Sequence, residues 1–297
     1  MVGVAAKALE DRTSLGIAMM LGAYFLFSLV DTSVKWLVLA GLPAVQLTFF
    51  RYVGHFAISL TQIAAGGLTW DRFATAHMGL VVLRGVLLAV STYFNFIALN
   101  YLPLTVTSSI MFSAPIIVCL LSWPLLGDRV GPVRWAAILL GFCGVLVVIR
   151  PFGEAFHWAT LLAAHNAVAL AVYSILTRKL AGVVATETMQ LYMGGIGTLA
   201  TLPFLASAWV TPSTPFDWML MIALGLWGWG GHEILTRAHS YATASVLMPY
   251  TYSFMLYLTV ASFLVFGDLP DGWTILGAAI IVLSGLIIWA RERRRVL

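Results

Sequence analysis

Long apolar stretches follow one another along this chain with few polar interruptions. An α-helix needs about 20 apolar residues to cross a hydrocarbon layer about 30 Å thick. Runs of that kind predict spans at 15–40, 43–65, 76–100, 104–124, 131–149, 156–179, 187–208, 217–239, 244–266 and 272–290. The runs are continuous and do not alternate apolar with polar residues, so they predict helices and not a lumen-lined barrel.

The pattern is written twice. Gly127-Asp128 closes one apolar run and Gly267-Asp268 closes another 140 positions later. At the same offset Ala98-Leu99-Asn100-Tyr101 lies over Ala238-His239-Ser240-Tyr241, and Val106, Ser113 and Ser122 lie over Val246, Ser253 and Ser262. Upstream, Lys35 pairs with Lys179 and Gln46-Leu47 with Gln190-Leu191. The expected organisation is a short start (1–14), a first five-span copy (15–150), a second (156–290) and a basic tail (291–297).

Composition fixes the solvent around these spans. With 61% hydrophobic and 9% charged residues, and a mean hydropathy of +0.96, there is too little charge to coat a water-soluble globule. The bilayer is therefore the expected partner, and no extramembrane domain is left over. Residues 1–14 hold Lys7, Glu10, Asp11 and Arg12 without a nearby small-residue cleavage pattern, so no removable signal peptide is expected. Net charge is +4, but the bases sit at span ends and not on a solvated face, so nucleic acid is not an expected partner. Cys119 and Cys143 lie inside spans four and five, where helix packing accounts for them without a disulfide or metal.

With the N-terminus in the cytoplasm, that side receives Lys7, Arg12, Arg72, Arg129, Arg134, Arg178, Lys179, Arg237, Arg291, Arg293, Arg294 and Arg295, while the other receives Lys35 and Arg150. This asymmetry predicts cytoplasmic termini. Five spans is an odd number, so the second copy lies inverted: Gly127-Asp128 is followed by Arg129 and Arg134, Gly267-Asp268 by Asp271. The expected fold is an all-α integral membrane protein of ten transmembrane helices in two inverted five-helix repeats. Two inverted copies can exchange conformations and so open to each side in turn, which makes a secondary transporter the leading function. No phosphate loop ending in Lys-Ser/Thr is present, which disfavours an ATPase.

These features resemble the EamA-type branch of the drug/metabolite transporter superfamily. The resemblance rests on Ser113-Ala114-Pro115 with Gly127-Asp128 in the first copy. In the second it rests on Phe266-Gly267-Asp268-Leu269-Pro270-Asp271-Gly272-Trp273, leading to Gly277 and Ser284-Gly285. It implies two EamA repeats carrying amino acids, nucleotide-like metabolites or other small solutes, driven by an ion gradient or exchange; protons enter as a partner by this resemblance alone. One departure is that Pro115 precedes its Gly-Asp by twelve residues, where the second copy has Met255 and an earlier Pro249.

An ionisable group inside a span costs about 3 kcal/mol on insertion scales, so each demands an account. Arg51, with Tyr52 beside it and His55 one turn on, could hold a substrate carboxylate or act as an interhelical anchor. Asp31 and Lys35 stand four apart, as an ion pair near the outer interface or as a gate and a protonatable coupling group. Glu233 and Arg237 form a similar pair, placed for snorkelling, with Glu233 a further gating candidate. Span eight carries Gly225, Gly228, His232 and His239 near one face, with Trp227-Gly228-Trp229-Gly230-Gly231 allowing either local unwinding or close packing.

Span three presents Arg84, Leu88, Ser91 and Asn95, with Thr92 pseudo-equivalent to His232. Spans four and nine offer Ser108, Ser109, Ser113 and Pro115 against Pro249, Tyr250, Tyr252 and Ser253, and span six adds His165, Asn166 and Tyr173. From these come the cavity candidates: Arg51, Tyr52, His55, Ser91, Asn95, Ser109, Ser113, His165, Asn166, Tyr173, Trp229, His232, Tyr250 and Tyr252. The histidines are scattered singly, without metal-ligand spacing, so no metal, cofactor or enzymatic chemistry is expected. Ala137, Gly141 and Gly144, with Gly277, Ser284 and Gly285, read as packing faces against other helices or a second protomer of a homodimer. Trp158, Trp218, Trp273 and Trp289 read as interfacial anchors.

The leading expectation is export of small polar metabolites, amino acids or aromatic compounds, across a bacterial inner membrane. An uptake carrier or exchanger for a nucleotide-like metabolite is the alternative. A channel and a membrane-embedded enzyme rank behind both.

Overall fold

The computed structural model describes residues 13–67, 73–111, 113–114, 116–118, 120–121, 132–150, 156–180, 183–241, 250–251 and 253–296. Among the described residues all regular structure is helical: α1 (Thr13–Leu39), α2 (Ala44–Ala65), α3 (Met78–Tyr101), α4 (Leu104–Met111), α5 (Pro132–Ile149), α6 (Ala159–Leu180), α7 (Thr186–Ala208), α8 (Pro215–Tyr241), α9 (Ser253–Ala261) and α10 (Gly272–Val296). Helices satisfy their backbone polar groups internally, which a hydrocarbon solvent requires.

Prolines set several starts: Pro43 precedes α2 in extended conformation, and Pro132 and Pro215 open α5 and α8, where a missing N–H costs nothing. Continuing α9, Ser262–Phe266 forms a π turn. Gly267 then takes a left-handed φ of 72°, its N–H bonds Phe263 O, and the Asp268 N–H bonds Ser262 O. The second Gly-Asp therefore terminates a helix. Gly127-Asp128, Pro115, Pro249, Tyr252 and Cys119 lie outside the described residues, as do parts of the spans expected at 104–124 and 244–266.

Among the described residues four helices are long and apolar enough to cross a membrane: Ser14–Leu39, Met78–Tyr101, Ala159–Thr177 and Thr186–Ala208. α2 is diluted by Gln46, Arg51, His55 and Gln62. Outward faces are densely aliphatic, with Leu199 69%, Ile222 62%, Leu256 68% and Leu264 74% exposed; a water-facing monomer does not carry so much exposed apolar surface.

One end of the molecule collects the junctions α1–α2, α3–α4, α5–α6, α7–α8 and α9–α10. Gln46 exchanges hydrogen bonds with the backbone of Val210, Trp36 donates to Asp217, and Arg150 pairs with Asp271 at 2.8 Å. Two cavities open there. One, of about 460 Å³, lies among Leu42, Pro43, Tyr93, Asn100 and Ala208; the other, of about 420 Å³, lies among Tyr101, Pro103, Arg150, His157 and Asp271. Successive helices thus reverse direction.

Packing is reciprocal. α1 packs on α8 and α3 on α6; α2 packs on α8 and α3 on α7; α1 meets α9 and α4 meets α6; α2 meets α7, and α5 meets α10. At the α2–α8 crossing Gly54 faces Gly225 so closely that a Cβ on Gly54 would lie 2.8 Å from the Gly225 Cα. The α5–α10 pair is just as tight: a Cβ on Gly277 would lie 2.7 Å from Gly144 O, and the Ser284 hydroxyl donates to Ala137 O at 2.5 Å. The small-residue faces of spans five and ten pack on each other.

Candidate functional site

Residues four apart on a helix share a face, and on α2 that face is polar. Arg51, His55 and Ser59 are all buried, with Tyr52 beside them. They point toward α3, α7 and α8, which close around α2 through the crossings just described. Arg51 donates to the Thr92 hydroxyl of α3, and the same hydroxyl lies 2.8 Å from Tyr52 OH. The Arg51 guanidinium also stands 5.3 Å from the Tyr52 ring centre and 5.9 Å from that of Phe96. Across from it is Gly228 of α8, where a Cβ would meet the Arg51 Nε at 3.1 Å.

One turn along α2, His55 Nε2 lies 3.1 Å from Gln190 Oε1 of α7. The His55 ring is 6.1 Å from that of His232 on α8. His232 in turn sits 4.9 Å from the Phe27 ring and 6.2 Å from the Tyr173 ring. Toward the end where the α1–α2 and α3–α4 junctions lie, Asn95 donates to Asp31 at 3.2 Å and accepts from Asn166 at 3.4 Å. Toward the other end all three nitrogens of Arg84 are engaged. Its Nε donates to Thr177, its Nη2 to Tyr173 OH and its Nη1 to Met189 O, with the Tyr173 ring 4.3 Å away. A guanidinium so enclosed ties α3 to α6 and α7.

The structure thus brings together Asp31, Arg51, Tyr52, His55, Asn95, Asn166, Tyr173 and His232. Ser91 is buried on α3. Other candidates go elsewhere. Asp31 and Lys35 do not pair; Lys35 Nζ donates to Leu102 O at 2.9 Å, a carbonyl just past the end of α3 that attracts a cation. His165 faces outward against the Phe94 ring. Ser109 and Ser113 return their hydroxyls to Thr105 O and Ile110 O on their own segment. Tyr250 packs beside Met20 and Ala238.

Glu233 and Arg237 pair as spaced, at 2.7 Å near the surface. Trp229 is half-buried on α8, its Nε1 without a partner among the described residues. The histidines are not all separate, since the fold joins His55 to His232. Among the described residues no three metal-ligating side chains gather.

Sequence reasoning missed Gln190 as a site residue, although its repeat pairing with Gln46 marked it as a polar break in an apolar run. It also left Arg84 and Thr92 as face residues. At the α9–α10 junction Asp271 caps α10, accepting the Thr274 N–H at 2.8 Å. Its carboxyl is held below the usual range first by the Thr274 side chain and then by that N–H and Arg150, against a partial rise from burial.

A polar centre enclosed between apolar, antiparallel helices defines a multi-pass α-helical membrane protein built like a carrier. Residues 14–150 match the model of the EamA-like transporter family. The chain is 28% identical over 288 residues to a riboflavin transporter of Rhizobium johnstonii, covering 96% of this chain and 94% of that protein. It is 28% identical over 278 residues to a pseudopaline exporter of Pseudomonas aeruginosa (92% and 95%), and 26% identical over 275 residues to an S-adenosylmethionine uptake transporter of Rickettsia conorii (91% and 92%). A solved crystal structure matches 95% of this chain and 98% of that one with a TM-score of 0.66 at 21% identity, which is a likeness of fold. Residues 14–150 are thus an EamA-like transporter domain, and over more than nine-tenths of its length the chain is similar to named transporters of small metabolites. It is a transporter of small metabolites and not an enzyme.

Proposed function

We propose that the protein is a secondary active transporter exporting small polar metabolites, amino acids or aromatic compounds, across a bacterial inner membrane by alternating access, with both termini cytoplasmic. The observation that carries this reading is the position of the buried polar centre. Arg51, Tyr52, His55 and Thr92 come from the first copy, and Tyr173, Gln190 and His232 from the second. Ten spans in two inverted copies also agree with the reciprocal packing. Under the repeat offsets α1 matches α6, α2 matches α7 and α3 matches α8, so α1 on α8 is the exchanged image of α6 on α3. Asp31, next to the centre through Asn95, is the group we assign to carrying a coupled proton.

Purified protein in liposomes, supplied with labelled amino acids, aromatic acids and nucleosides, should show saturable, counterflow-stimulated flux that responds to an imposed pH gradient. Folded protein that moves none of them, or flux without saturation, would overturn the reading. A second reading is uptake or exchange of a nucleotide-like metabolite. It is supported by the relatives named for riboflavin and for S-adenosylmethionine uptake. Flux measured in oppositely oriented vesicles separates the two directions.

A further inference from the structure

The hydrogen bonds of the centre are unbalanced in one direction. Among the described residues three buried nitrogens find no partner, Gln190 Nε2 and His232 Nε2 in the centre and Trp229 Nε1 elsewhere on α8, and the Ser59 hydroxyl on the α2 face has none either. Gln190 and His232 are themselves 2% and 7% exposed. An amide NH₂ and an indole N–H can only donate, and an imidazole nitrogen can donate in one tautomer. A buried donor left without an acceptor carries its full desolvation cost, so a ligand that brings acceptors is stabilised there.

Charge points the same way. Of the two buried guanidinia, Arg84 is filled by Thr177, Tyr173 and Met189, whereas the hydrogen-bond partner of Arg51 among the described residues is the Thr92 hydroxyl alone. The carboxylate beside the centre, Asp31, accepts from Asn95 on one oxygen. The centre therefore offers cationic and neutral donors, and its one carboxylate among the described residues, Asp31, is reached from the Arg51 side through Asn95. Its walls are flat rings: Tyr52 and Phe96 by Arg51, Phe27 and Tyr173 by His232.

We infer that the ligand of this centre is an aromatic carboxylate lacking a free ammonium group. Its carboxylate pairs with Arg51 and its remaining acceptors take up Gln190 and His232. The inference rests on the transporter reading and narrows its cargo: between amino acids and aromatic compounds, the zwitterion is disfavoured because its ammonium would be desolvated beside the like-charged Arg51 guanidinium.

Three probes share a ring and chain and differ in charge: 3-phenylpropionate, phenylalanine and phenethylamine. Each is titrated against the purified wild-type protein, with thermal unfolding as readout, since a ligand that binds the folded state raises the midpoint. A shift with 3-phenylpropionate at least tenfold more sensitive in concentration than with the other two is expected. The shift should be abolished in Arg51→Gln and weakened about tenfold in Gln190→Leu, a loss of about 1.4 kcal/mol; wild-type-like gel filtration verifies that both variants fold.

An equal or stronger response to phenylalanine or phenethylamine overturns the inference, as does no response to any of the three. Neither result touches the transporter reading, which the liposome flux of other solutes decides separately. Unchanged sensitivity in a monodisperse Arg51→Gln would overturn the placement of the carboxylate.

Discussion

Two arginines buried on α2 and α3 do different work, and the difference lies in their partners. Arg84 gives every face of its guanidinium to α6 and α7, so Arg84→Ala leaves Tyr173, Thr177 and Met189 O short of a donor. A loss of about 3 kcal/mol or more is expected, typical of a broken buried polar network, seen as a lower unfolding midpoint without ligand. Arg51→Ala should leave that midpoint nearer wild type and lose ligand response instead. Equal destabilisation by both would place Arg51 among the anchors.

Asp271 tests electrostatics outside the bilayer. Its folded value is lowered, so its contribution is present above the unfolded carboxylate value of about 3.9 and is lost as pH falls through the lower folded value. The midpoint difference between wild type and Asp271→Asn should therefore hold at neutral pH and vanish in strong acid. A difference that grows on acidification would contradict this. Arg51, His55 and His232 could be picked out in the sequence because an ionisable group in an apolar run is conspicuous. Gln190 was not, since a lone amide in a helix is common and only its neighbour His55 gives it meaning.

Elements reflect small residues as much as large ones. α2 can lie in the groove of α8 because Gly54 and Gly225 lack side chains. Gly54→Leu should drive the helices apart and lower folded yield sharply, an overpacking cost of about 1–3 kcal/mol. Ser284→Ala, which removes only the bond to Ala137 O, should cost about 0.6 kcal/mol. Comparing the two variants in detergent by thermal unfolding checks that shape outweighs hydrogen bonding at these crossings; the reverse order would refute it. Helix ends were partly legible: Gly267 stops its helix in the left-handed conformation as its position after an apolar run suggested. The π turn before it had no sequence signal, because i→i+5 bonding leaves no periodicity of its own.

At the scale of the whole molecule, the Arg150–Asp271 pair joins the end of α5 to the start of α10 where the junctions gather, between the two copies of the proposed repeat. Alternating access requires that contact to part. A double variant, Arg150→Cys with Asp271→Cys, should be inactive in liposomes when oxidised and recover on reduction. Undiminished flux in the cross-linked form would mean that this end does not open. The all-helical character and the apolar exterior of the described residues follow from composition and periodicity, because the bilayer imposes length and hydrophobicity on each span independently of its neighbours. Hydropathy also flagged most of the buried polar residues, since each is costly in lipid wherever it points. It could not choose their partners. Asp31 turned from Lys35 to Asn95, His55 found Gln190 and His232, and His165 went to the surface, because distance between helices, set by glycine contacts far apart in the chain, decides which polar groups meet.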